Sequence, residues 1–221
     1  MITADARSQL TPHDLTLLSQ ALGGGADEPD RELVRQGLDA VLDRTELRTF
    51  LLDGRMPGPS ASLFFYVLVR HALVAEGLDD RTLADYCAAL LREFGVRGRA
   101  HRIDDADDQD HCYLVDLLAD LARSDGQRHF KVSVHLGNYA LWLTGIFPDR
   151  IRARRTNRGG PALAYYEALG QRGYAEASEH HLAEWTGLGP VLGTTAERFT
   201  EVRRALNRVR GDLKLTGRRA A

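Results

Sequence analysis

Only one stretch of this chain alternates apolar and polar residues as a strand does, and a strand needs a partner. Phe130, Val132, Val134 and Leu136 alternate, and no second run repeats the pattern. A lone strand leaves its backbone groups unpaired, and even two strands are marginal in water. The continuation Tyr139-Ala140-Leu141-Trp142-Leu143 has helical spacing, so Phe130–Phe147 is expected to be a helix. The fold class that follows is all-α, an irregular bundle of seven to nine helices forming one domain over residues 1–221.

The helices are marked by their stops and caps. Thr11-Pro12 opens the first, with Leu15, Leu18 and Leu22 on one face and Gly23-Gly24-Gly25 as its end. A second pattern starts at Asp30, and Thr45-Glu46 restarts it toward Leu51. Met56-Pro57-Gly58-Pro59 is a firm break. Ser60 caps a helix that is apolar all round from Leu63 to Val69, as a buried central helix would be. Asp80 caps the next, with Gly95 as its stop, which closes an N-terminal group of helices over 11–95. Asp108 or Asp110 begins a second group over 110–209. In it, Pro148 ends the helix from Phe130, an arginine-rich loop follows, and helices run over about 161–177 and 188–209. Residues 211–221 read as a frayed tail.

Charge is distributed unevenly. The net charge is -2, but residues 1–125 carry 13 arginines against 23 acidic residues, and residues 126–221 carry 16 basic residues against 8 acidic ones. Such a chain is expected to bring its halves together, inside one fold or across a two-fold homodimer. Arginine dominates the basic residues; Lys131 and Lys214 are the only lysines, as a GC-rich bacterial genome would give. Neither lysine sits in a phosphate-binding Gly-Lys-Ser/Thr loop or in surroundings suited to a Schiff base. Cys87 and Cys112 form no Cys-x-x-Cys pair, the N-terminus has no signal-peptide pattern, and the Ala61–Val69 apolar run is too short to span a bilayer. The expected location is the cytoplasm, with free thiols and no membrane contact.

The segment Val134–Asp149 is the most distinctive. Ser133 and Gly137 are a small-xxx-small pair, and Gly145 lies two turns on. Each mid-helix glycine costs about 1 kcal/mol relative to alanine, so something must approach closely. The first reading is tight helix packing. The second is a pocket floor in which His135, Asn138, Trp142 and Tyr166 are the candidate ligand-binding residues, with Tyr139 beside them. Tyr165, Tyr166 and Tyr174 could join Phe64, Phe65 and Tyr66 in one aromatic cluster.

The run His135-Leu136-Gly137-Asn138-Tyr139-Ala140-Leu141-Trp142-Leu143-Thr144-Gly145-Ile146-Phe147-Pro148-Asp149, followed by Tyr165-Tyr166-Glu167-Ala168-Leu169-Gly170, resembles a set of uncharacterised bacterial all-helical proteins. Their core is His-x-Gly-Asp, then an aromatic, then Gly and Phe-Pro. The resemblance spans residues 80–210 and is carried by His135, Gly137, Gly145, Phe147 and Pro148. It implies a helical fold and no established activity. Asn138 stands where the pattern has aspartate, which argues against a metal ligand or general base at that position.

Other constellations are weaker. The acidic run Asp104–Asp110 lacks the glycine and closing glutamate of a calcium loop and reads as a solvated helix start. Glu176, His180 and Glu184 recur at helical spacing, but no Glu-x-x-His exists to complete a di-iron set. Gly187-x-Gly189-x-x-x-Gly193 has the wrong spacing for a dinucleotide loop. The arginines at 150, 152, 154, 155 and 158, with those of the C-terminal helix, read as a solvated face or a partner for the acidic half. No reading helix or stacking platform points to nucleic acid. No catalytic residue, cofactor or metal set is assigned. The expected function is therefore non-catalytic, through protein contacts or as a regulatory helical module. The alternative is a small-ligand or cofactor-binding protein or enzyme with its pocket along 130–147.

Overall fold

A computed structural model of the chain describes residues 1–21, 37–54, 58–96, 99–103 and 114–215. Among them the fold is all-α with no strand, as the missing strand partner requires. There are more helices than the seven to nine expected. Twelve α-helices occur among the described residues: α1 Pro12–Ala21, α2 Leu38–Leu42, α3 Thr45–Leu52, α4 Ala61–Ala75, α5 Arg81–Leu91, α6 Leu114–Leu121, α7 Gly126–Ile146, α8 Pro148–Arg158, α9 Leu163–Glu179, α10 His181–Trp185, α11 Gly189–Glu197 and α12 Phe199–Leu215.

The excess has physical causes. Five-residue helices such as α2 and α10 are too short to show a period. The arginine-rich segment after Pro148 is a helix, α8, and not a loop. Proline at the first helical position has no N–H to lose there, and arginine is a good helix former, so Pro148 starts a helix as it ends one. The helix expected over 188–209 is divided at Arg198 into α11 and α12, and α12 continues past Val209 to Leu215. The glycine stop at 23–25, the Asp30 helix start, Met56-Pro57, the acidic run, His111-Cys112 and residues 216–221 lie outside the described residues.

Several expected caps are made. Ser60 Oγ accepts from the Leu63 N–H at 3.1 Å, and Asp80 Oδ1 from the Leu83 N–H at 3.0 Å. Thr11 Oγ1 accepts from the Asp14 N–H, and Asp14 Oδ2 reaches back to the Thr11 N–H. Asp14 Oδ1 also accepts from the Ser60 N–H at 2.8 Å, so one fully buried carboxylate ties the start of α1 to the start of α4. Burial alone would raise this carboxyl, but the donated hydrogen bonds from Thr11 and Ser60 outweigh it and hold it below its ordinary value.

α4 is buried as its all-round apolar sequence predicts, with Leu63, Tyr66, Val67, Leu68 and Val69 fully inaccessible. It pairs with α5, and α12 bridges α4 and α7. The 3-10 turn Arg7–Gln9 is strapped onto this group by Arg7, whose Nε and Nη2 donate to Asp85 Oδ2 at 3.0 and 2.8 Å while Nη1 donates to Asp39. After α5 the chain widens into a π-turn over Arg92–Val96 and then a 3-10 turn at Arg99–His101.

The most extensive helix pair is α7 with α9. A Cβ on Gly173 would stand 2.8 Å from the Ser133 carbonyl oxygen and 3.0 Å from the Gly137 backbone nitrogen. A Cβ on Gly137 would stand 2.6 Å from the Tyr174 ring. Gly173 therefore serves backbone-to-backbone approach and Gly137 seats the Tyr174 ring, the packing reading of this segment. Gly145 makes room for the Leu206 side chain of α12, 2.7 Å from where its Cβ would stand. Gly173→Ala places its methyl against backbone that cannot step aside. It is expected to destabilise the chain by about 1–3 kcal/mol in urea unfolding, while Gly211→Ala, which meets nothing, leaves it unchanged or slightly more stable.

Candidate functional site

One face of α7 carries His135, Tyr139 and Trp142 at helical spacing, and Phe94, Ala100 and His101 lie over it. Phe94 in the π-turn meets His135 and Trp142, with ring centroids 5.5 and 5.8 Å away. His101 packs edge-on against Tyr139 at 6.0 Å, and Trp142 meets Phe147 at 4.7 Å. The His135 Nε2–H donates to the Ala100 carbonyl at 3.2 Å, which fixes that nitrogen as the protonated one.

Asn138 is 2 % exposed, and its Oδ1 accepts from two tyrosine hydroxyls, Tyr86 of α5 and Tyr174 of α9, each at 2.8 Å. Burial pushes both phenols well above their ordinary range, so both remain donors. One amide oxygen thus joins three helices. An aspartate here would bring a charge into a dry core, and the amide supplies the same acceptor without one. Tyr174 also packs on Phe199, while Tyr66 lies under the Arg7 guanidinium. The tyrosines of α9 and the aromatic run of α4 thus belong to different neighbourhoods.

The four residues proposed to line a pocket do not share one space. His135 and Asn138 border a cavity of about 20 Å³, room for about one water. Buried Glu93 is on the same wall, accepting from Arg92 at 3.3 Å and Arg99 at 3.1 Å. Trp142 and Tyr166 instead border a half-open cleft of about 290 Å³ between α7, α8 and α9. Tyr139 stands between the two, 6.3 Å from the His135 ring and 6.4 Å from Trp142.

The cleft combines an apolar wall with a cationic rim. Tyr139, Trp142, Leu143 and Tyr166 form the wall, and Ile151 closes the base. Arg150 and Arg154, one turn apart on α8, reach it from one side and His101 from the other. Arg150 has no acidic partner among the described residues. The Trp142 indole N–H is buried without an acceptor among the described residues, beside the cleft. Arg150 and Arg154 belong to the charge run seen in the sequence, but their common face follows only once α8 is known to be helical. His101 gave no signal in the sequence.

Other candidates resolve into structure. Among the described residues no group of three His, Cys, Asp or Glu could hold a metal. The Glu176–His180–Glu184 spacing does not run along one helix, because α9 ends at Glu179 and His180 caps α10, accepting from the Leu182 N–H. Cys87 is fully buried and its thiol is pushed up to about 12, which makes it unreactive. No described helix is long and apolar enough to cross a membrane.

Asn138→Leu strands two buried hydroxyls and is expected to cost about 2–4 kcal/mol in chemical denaturation. Adding Tyr86→Phe and Tyr174→Phe to it should recover part of that loss, a non-additivity that simple core disruption would not give.

Comparison with protein-family models, with curated proteins and with solved structures finds no match to this chain.

Proposed function

We propose that this chain is a non-catalytic ligand-binding protein of a reducing compartment such as the cytoplasm, and that the α7–α8–α9 cleft is its site. The ligand class is a flat apolar molecule bearing a carboxylate. The observation that carries the reading is the pairing of Arg150 and Arg154 with a wall of Tyr139, Trp142 and Tyr166 in one cleft. Aromatic faces take a planar body, and guanidinium forks take a carboxylate through two parallel hydrogen bonds. The volume lies at the small end of the range for small-molecule sites.

Trp142 and Trp185 are the only tryptophans, so Trp185→Phe leaves the cleft with the sole indole reporter. In that background, 1-naphthoate is expected to change Trp142 emission saturably and to bind about tenfold more tightly than neutral 1-naphthylmethanol, the worth of one charge-assisted contact. Arg150→Ala with Arg154→Ala should abolish that preference. A naphthoate affinity unchanged by the double substitution refutes the site.

A second reading, contact with protein, has one specific support. Trp185 is 86 % exposed at the end of α10, unusual for so large an apolar ring. The partner proposed is a second copy of the chain in a two-fold dimer. Light scattering is expected to show a dimer that Trp185→Ala weakens. If charge guides assembly, added salt and Arg154→Glu with Arg155→Glu weaken it further. A monomer at every concentration and at low salt removes this reading and leaves the cleft untouched.

A further inference from the structure

The opposite side of α8 faces a different space, a groove of about 440 Å³ between α8, the start of α9, and α12. Its floor is apolar, from Pro148, Ile151 and Leu163. Its rims are arginines: Arg152 and Arg155 on α8, and Arg203 and Arg210 on α12. Arg203 and Arg210 are seven residues apart, so they share one face of α12 about 10 Å apart along its axis.

The cations on α12 are held in place. Arg203 Nη1 donates to Asn207 Oδ1 at 3.1 Å, and its Nε lies 2.5 Å from Glu167 Oε1. Asn207 is itself anchored, its Nδ2 donating to the Thr144 and Gly145 carbonyls at the end of α7. Arg210 is bonded to Asp149. The carboxylates do not balance the cations. Asp149 is shared by Arg152, Arg210 and Lys214, Glu167 serves Arg203, and Arg155 has no acidic partner among the described residues. Four arginines border the groove against these two carboxylates, one of which Lys214 also draws on from outside it, so at least two positive charges around the groove are uncompensated among the described residues.

Like charges gathered this closely repel one another, and a multiply charged anion relieves that repulsion more than single chloride ions do. The fork of a guanidinium matches a phosphate as well as a carboxylate, and several forks converging on one compact space suit consecutive phosphates. We infer that the α8–α9–α12 groove is a binding site for a polyphosphate group. It uses Arg152 and Arg155, whereas the aromatic cleft uses Arg150 and Arg154, so the two sites stand or fall separately.

The test is calorimetric titration of the full chain with inorganic tripolyphosphate and, separately, with ADP. One saturable site is expected for tripolyphosphate, weaker at high salt. The double substitution Arg152→Ala and Arg155→Ala should weaken it about tenfold or more, the loss expected when charge-assisted contacts go. Arg158→Ala, farther along α8 and not bordering the groove, should not change it. Binding of 1-naphthoate should survive Arg152→Ala with Arg155→Ala. ADP bound more tightly than tripolyphosphate identifies a nucleotide as the source of the phosphates, and the reverse order identifies an inorganic chain. No saturable binding of either probe, or binding indifferent to the double substitution, overturns the proposal. So does an oligoglutamate peptide that binds where tripolyphosphate does not.

Discussion

The crossing of α7 and α9 sets where everything else can go. With no Cβ at Gly137 or Gly173, the Ser133 carbonyl, the Gly137 amide and the Gly173 backbone lie within van der Waals reach. Helices that close leave little space for side chains between them, so the large residues of α7 are turned to its other sides. Tyr174 lies over Gly137 and sends its hydroxyl to Asn138, where it meets the hydroxyl of Tyr86. One oxygen thus fixes the separation of α5, α7 and α9 together. Buried polar networks of this kind raise the cost of any alternative packing, because each misplaced donor loses its only partner.

Electrostatics then finishes what packing begins. Part of the charge split between the two halves is absorbed inside the chain. Glu76, at the end of α4, receives Arg204 and Arg208 of α12, and Arg48 of α3 donates to Asp212 with both oxygens within 2.9 Å. These contacts hold the last helix against the first half of the molecule. α8 has a further part. Its apolar anchor is Ile151, and its arginines border a space on either side of that anchor, Arg150 and Arg154 one and Arg152 and Arg155 the other. The helix separates two openings and gives cations to each.

The fold class was legible because a strand cannot exist alone, and the caps at Thr11, Ser60 and Asp80 were legible because short side chains bond to the backbone a turn away. The glycines of α7 announced close approach and delivered it. Other features depend on residues far apart in sequence. Arg7 and Asp85 are 78 positions apart, and Asn138 is 52 from Tyr86. Periodicity gives the face a residue occupies but not what covers it. His135, Asn138, Trp142 and Tyr166 read alike as pocket candidates, yet Phe94 and Ala100 cover His135, two tyrosines from other helices claim Asn138, and Trp142 and Tyr166 border the open cleft. Pro148 misled for a simple reason. Proline cannot continue a helix but can begin one, and the sequence after it is so polar that no apolar face revealed the turn.

The π-turn at Arg92–Val96 can be read as an insertion. A helix accommodates one extra residue by widening locally, without shifting the turns before it. Phe94 owes its place between His135 and Trp142 to that widening. A chain lacking the extra residue would close up into ordinary α-helix, and the rest of the turn after the deletion would swing by about 100° around the axis. Phe94, inside the widened turn, would leave the aromatic row. A single codon thus decides whether Phe94 stands over α7, and a chain with one residue fewer here would present a different aromatic row on the same bundle.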